Sequence, residues 1–141
     1  MTTALIVLAH GSTDSRWQAP FETLEQRLKA RMPSPVRLAY MELCDPLLEN
    51  VVAELHADGF NDIDILPLFF AAGRHLREDV PRQLDTLRQE HPELSLTLLD
   101  PVGQHPSFAD VVVSIVAENQ RDSSCTTVSY THLTLPTIYS V

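Results

Sequence analysis

The sequence predicts an α/β fold, a three-layer α/β/α sandwich on a four-stranded parallel sheet. Four apolar runs of strand length, 4–9, 36–41, 63–70 and 94–99, alternate with segments whose apolar residues recur at helical spacing. That order, β-α-β-α-β-α-β-α, calls for parallel strands joined by right-handed crossovers. The first run is continuously apolar rather than alternating, as in a sheet covered by helices on both faces.

The first run, Ala4-Leu5-Ile6-Val7-Leu8-Ala9, is β-branched at its centre. Trp17, Phe21, Leu24 and Leu28 then share one helical face. Val36 to Met41 forms the second strand. Leu47, Leu48, Val51, Val52 and Leu55 mark the second helix, with Asp45 as a candidate cap, Pro46 in the first turn and Gly59 as the stop. Ile63 to Phe70 is the third strand, and Leu76, Val80, Leu84 and Leu87 mark a third helix that ends at His91-Pro92. Leu94 to Leu99 is the fourth strand, and Phe108, Val111, Val112, Ile115 and Val116 mark the fourth helix.

Composition narrows the function classes. The chain carries 10 Lys+Arg against 19 Asp+Glu, a net charge of −9, and Lys29 is its only lysine. Nucleic acids and anionic membranes are bound through dense positive charge, so neither is expected as a partner. No run approaches the roughly 20 apolar residues of a spanning helix, and the N-terminus lacks the pattern of a secretory signal. Cys44 and Cys125 form no paired framework, which points to the cytoplasm, with Cys44 as a small buried residue.

The composition changes at Asp122. From Ser123 to Val141 no residue is charged, nine of the nineteen are Ser or Thr, and no helical period can be drawn. Residues 128–141 resemble a translated sequencing adapter. The expected organisation is therefore one domain over residues 1–121 and a non-native or disordered tail over 122–141.

In open α/β sheets, ligands bind beyond the carboxyl ends of the strands. There the chain carries His10-Gly11-Ser12-Thr13, then Glu42-Leu43-Cys44-Asp45-Pro46, then Ala71-Ala72-Gly73-Arg74-His75, then Asp100-Pro101-Val102-Gly103. His10 and His75 each follow an apolar strand close to a glycine, unlike His56, His91 and His105, whose default is an ordinary hydrogen-bonded role. Asp45 reads equally as a helix cap or a site residue. Glu42 ends a buried strand, where a carboxylate is costly unless paired or at a site. Two imidazoles with a carboxylate leave coordination positions open, which suits a divalent ion held for transfer more than a closed structural site. Imidazole, with an unperturbed pKa of about 6.5, also accepts protons at neutral pH.

Three segments resemble, in order and spacing, the signatures of the small CbiX/SirB-type sirohydrochlorin chelatases, class II chelatases of tetrapyrrole synthesis. They are Leu8-Ala9-His10-Gly11-Ser12, then Met41-Glu42-Leu43-Cys44-Asp45-Pro46, then the stretch from Pro67 to Pro81. Gly73-x-His75-x-x-x-Asp79-Val80-Pro81 is the most specific of them. The resemblance implies a lyase that inserts a divalent metal, Co²⁺ first and Fe²⁺ next, into sirohydrochlorin with release of two protons, in cobalamin or siroheme biosynthesis. It implies His10 and His75 as metal ligands, with His10 and Glu42 as catalytic groups. Asp45, Phe70, Ala71, Ala72, Gly73, Arg74 and His75 match the family's substrate contacts, although the family often has glutamate at the Asp45 position. No cofactor is permanently bound, because the metal is itself a substrate. Small members of the family work as homodimers; the alternative organisation is the front half of a two-repeat protein.

Sirohydrochlorin carries eight carboxylates, which an acidic chain must meet with local positive charge. Arg74 and Arg77 lie nearest His75 in sequence for that purpose, and Phe70 and Leu76 are candidates to pack on the ring. Two further classes fit the same residues. One is a non-catalytic metal or tetrapyrrole carrier. The other is a histidine-dependent phosphoryl enzyme, against which Ala9 stands where an arginine would have to bind phosphate.

Overall fold

The apolar runs pair into one sheet of order β2-β1-β3-β4, made of β1 (Thr3–Ala9), β2 (Val36–Tyr40), β3 (Asp62–Pro67) and β4 (Ser95–Leu98). Every pairing is parallel, and Val7 at the centre of β1 lies opposite Leu38 on one side and Leu66 on the other. The computed structural model describes residues 3–126, without the side chains of His75 and of residues 121–126. Most of the tail expected from residue 122 onward therefore lies outside the described residues. The chain divides into two compact units, Met1–His105 and Pro106–Val141.

In the first unit the strands alternate with helices α1 (Ser15–Arg31), α2 (Leu48–Ala57) and α3 (Val80–Glu90), as the periodicity predicts. Ile6 and Leu8 pack with α2 and α3 on one face of the sheet, while Val7 and Ala9 meet α1 residues on the other. All four are at most 1% exposed, which is why β1 is apolar at successive positions instead of alternating. From β1 the chain steps outward to β2 and then crosses back to β3 on the opposite side, so the winding direction reverses between β1 and β3.

Several local expectations shift. On α1, capped by Asp14 Oδ1 accepting from the Arg16 amide at 2.9 Å, Trp17, Phe21 and Leu28 face the sheet but Leu24 is exposed. Beside it Glu25 turns inward, its Oε2 accepting from the Leu38 amide at 2.8 Å, which satisfies a backbone donor on edge strand β2. Asp45 and Pro46 do not open α2. Pro46 O accepts from the Tyr40 amide at 2.8 Å and Leu47 bridges to Tyr40, so the helix does not begin until Leu48, and Leu47 holds the cap position with no side-chain bond. The far end of α2 behaves as read. Gly59, at φ +95°, lets its own amide reach His56 O and the Phe60 amide reach Leu55 O, both at 3.0 Å, closing the last carbonyls.

Leu76, Val80, Leu84 and Leu87 are all buried, as expected of one helical face. The first turn of that helix, His75–Asp79, is nonetheless π-helical, and regular α-helix begins only at Val80. Pro81 explains the break: it has no amide to give Arg77 O, and its ring crowds that carbonyl, so the preceding turn widens. In the second unit the expected fourth helix is present as α4 (Pro106–Thr126), which runs into the start of the expected tail, with Val111, Val112, Ile115 and Val116 exposed. No helix among the described residues is long and apolar enough to cross a membrane.

Tyr40 closes β2 beneath α1, its ring 6.2 Å from that of Trp17 and 1% exposed, with no hydrogen-bond partner for its hydroxyl among the described residues. Burial first, then the nearby Cys44, Glu22 and Glu25, pushes the phenol up to about 12. The folded state thus keeps this proton over a range, from about 10 to about 12, in which the unfolded chain loses it. Stability from this group is intact below pH 10 and should fall as pH rises through that window. A tyrosinate absorbance titration of the native protein should show one tyrosine ionising late, and Tyr40→Phe should flatten the alkaline loss of stability in urea melts.

Candidate functional site

The reversal between β1 and β3 splays the connections at their carboxyl ends and leaves a crevice there. β1 delivers His10 to it and β3 delivers the segment from Leu68 to His75. The two chains stay bonded past the strands, with the Leu68 amide donating to Leu8 O at 2.8 Å. His10 stacks on Phe69, ring centroids 4.1 Å apart and planes 19° from parallel. Because Phe69 is buried, it fixes one face of the imidazole while the rest of His10 stays exposed. A pocket of about 390 Å³ opens beside this pair, lined by His10, Leu68, Phe69, Phe70, Ala71, Gly73 and Leu76. An apolar concavity with one titratable group among its described lining residues suits an apolar ligand that must exchange a metal or a proton at one point.

The loop after β2 is bound to the other side of His10. The Met41 amide donates to Ala9 O at 3.0 Å and the Glu42 amide to His10 O at 3.2 Å. Gly11, at φ +110°, allows the approach, since a Cβ there would stand 1.8 Å from Glu42 O. Cys44 is half-buried, and its Sγ accepts from the Ser12 amide at 3.5 Å, tying the same two loops together. Glu42 thus contributes backbone to His10, while its side chain is exposed and lines a second pocket of about 400 Å³ with Met41, Asp79, Arg82, Gln83 and Thr86. The burial cost inferred for it from sequence is absent, because β2 ends two residues earlier. Asp45 is exposed in the loop and caps nothing.

The third segment lies along the pocket. Phe70 is 78% exposed, Ala71 and Gly73 are exposed, and Ala72 is half-buried. Arg74 and Arg77 are both exposed, and Arg74 Nε lies 3.8 Å from Glu78 on the following turn. His75 opens the π-helical turn, a backbone departure found often at functional sites. The backbone places it after β3 as His10 follows β1, which is the juxtaposition expected of a two-histidine site; its side chain lies outside the described residues.

Two contributors had no role in the sequence reading. Phe69, which fits the apolar run of the third strand, is the face on which His10 rests. Gly103 follows β4 in the turn Val102–Gln104, and its amide donates to Phe69 O at 2.9 Å. A Cβ at Gly103 would lie 1.9 Å from Phe70 O and 2.3 Å from Phe70 Cα, so only glycine lets this turn brace the pocket wall. Its position after a strand in an α/β pattern was the available signal.

The order of the sheet and a histidine-bearing apolar pocket at its switch point define a ligand-binding α/β protein of the doubly wound class. Residues 4–119 match the CbiX family model, and the chain belongs to the CbiX family. It is 32% identical over 120 residues to the sirohydrochlorin cobaltochelatase of Saccharolobus solfataricus, covering 81% of this chain and 93% of that protein. The crystal structure of a cobalamin (vitamin B12) biosynthesis CbiX protein from Marinobacter aquaeolei superposes with a TM-score of 0.79 at 36% identity, over 85% of this chain and 98% of the other. The sirohydrochlorin chelatase SirB from Bacillus subtilis subspecies spizizenii, solved in complex with cobalt, shares the fold, with a TM-score of 0.75 at 23% identity. The match covers 86% of this chain and 51% of SirB.

Glycine dependence at the pocket wall should be selective. Gly103→Ala is expected to lower unfolding free energy by about 1–3 kcal/mol, since the added methyl meets backbone that cannot rotate away. At Gly73 a Cβ meets nothing within 4 Å, and Gly73→Ala should stay within about 0.5 kcal/mol of the parent in the same urea melts.

Proposed function

We propose that this chain is a sirohydrochlorin chelatase that inserts a divalent metal, Co²⁺ in preference to Fe²⁺, into the macrocycle in cobalamin or siroheme biosynthesis. The observation that carries the proposal is His10, held on Phe69 at the mouth of an apolar switch-point pocket in a chain of the CbiX family. The sirohydrochlorin cobaltochelatase named for the Saccharolobus relative fits that chemistry.

In this reading His10 and His75 hold the incoming ion through neutral imidazole, leaving positions open for the pyrrole nitrogens. As the metal transfers, its bonds to the two imidazoles give way to bonds to the four ring nitrogens and two N–H protons leave, so the metallated ring bears the same charge as the free ring. His10 takes one proton at the pocket, and Glu42, bound to it through backbone, relays protons outward to solvent. Arg74 and Arg77, exposed beside the pocket, meet the substrate's peripheral carboxylates against a net charge of −9, with Asp45 and the segment Phe70 to His75 as the remaining contacts. A pocket of about 390 Å³ takes the edge of a tetrapyrrole and leaves the rest outside, which favours a homodimer whose second copy closes the site. The enzyme acts in the cytoplasm, with the metal as substrate and no resident cofactor. Residues 122–141 are a tail foreign to the domain.

Purified protein mixed with sirohydrochlorin and Co²⁺ should metallate the ring, followed by absorbance, well above the spontaneous rate. Binding without acceleration would identify a carrier instead. His10→Ala and His75→Ala should each lose at least about 100-fold in rate. Circular dichroism should be unchanged, and full activity in both variants would reject the site.

A further inference from the structure

Leu43 has a backbone φ of +72°, the one non-glycine residue with positive φ among those described. This left-handed conformation suits glycine or asparagine and is strained for a bulky side chain. Leu43 is also 62% exposed, so most of its side chain is not packed within the fold. Its loop cannot relax, being bonded on both sides. The Met41 and Glu42 amides donate to Ala9 and His10 O, the Ser12 amide to Cys44 Sγ, and the Tyr40 amide to Pro46 O.

Leu43 and Phe70 are the two most exposed large apolar side chains among the described residues, at 62% and 78%. Both stand at the carboxyl edge of the sheet, on the segments after the two neighbours of β1. Leu43 follows β2, His10 follows β1 and Phe70 follows β3, and these strands are adjacent in the order β2-β1-β3. A strained, exposed apolar residue held rigidly beside a histidine points to a ligand surface. A planar macrocycle with apolar faces and a charged rim fits such an arrangement, with its centre over the imidazole.

Resting on the chelatase reading of this site, we propose that Leu43 and Phe70 are opposed apolar walls of the tetrapyrrole site, and that Leu43 packs directly on the ring. The loop keeps Leu43 in an unfavourable backbone conformation in exchange for that contact.

Stability and binding should therefore move in opposite directions at this position. Leu43→Gly should raise the urea midpoint by removing the strain, yet raise the dissociation constant for metal-free sirohydrochlorin roughly tenfold, read by fluorescence titration of the full chain. Leu43→Ala, which keeps the backbone demand but removes the wall, should weaken binding to a similar degree without the gain in midpoint. Leu43→Met should bind within about twofold of the parent. Parent-like binding by Leu43→Gly and Leu43→Ala, or absence of binding by the parent chain, would overturn the proposal. A parent chain that binds sirohydrochlorin but does not accelerate its metallation would overturn the chelatase reading instead, and the comparison of dissociation constants would still decide the role of Leu43.

Discussion

The structure depends on the parallel pairing of β1 with both β2 and β3. β1 is hydrogen-bonded along both edges and covered on both faces, with Ile6, Val7 and Leu8 all fully buried. A strand in that position cannot shift register by one residue without sending each of these side chains to the opposite layer. His10 therefore leaves the sheet at a fixed height and direction. The chain must also arrive at β2 and β3 from opposite sides of β1, and the crevice beside His10 is the geometric consequence of that reversal.

Around His10 the fold uses backbone contact more than side-chain polarity. Gly11 lets the loop after β2 close in, Gly103 lets the turn after β4 brace Phe69 and Phe70, and Phe69 supplies the surface against which the imidazole rests. Each device removes freedom from His10 or from the pocket wall. An imidazole so held has a fixed orientation at the pocket, the requirement for a group that must take up and release a metal or a proton. Arg74 and Arg77 are exposed on the turn that follows the pocket segment, the nearest positive charge in sequence to His75 in a chain of net charge −9.

Much of this was legible in the residue pattern because burial is written into it. The four strands, the helical faces at Trp17 and at Leu76, the stop at Gly59 and the placement of His10 and His75 after strands all follow from apolar periodicity and turn chemistry. Failures came where a long-range backbone bond outweighed a local preference. Asp45-Pro46 has the composition of a helix start, but the bond from the Tyr40 amide to Pro46 O holds it at the end of β2, ahead of the helix. Leu24 fits the apolar stripe, yet Glu25 takes the inward position because an edge amide at Leu38 needed an acceptor. Glu42 ends an apolar run but not a buried strand, since β2 stops at Tyr40.

By itself the sequence determined the class of fold, the order of its elements and the residues that follow each strand, because each depends on the spacing of apolar side chains along one stretch of chain. Only the tertiary structure decided what those residues do to one another. It placed Phe69 under His10, Gly103 against Phe70, Glu42 at a second pocket and Leu43 in a strained, exposed conformation. These arrangements arise from contacts between loops far apart in sequence, and no local periodicity records such a contact.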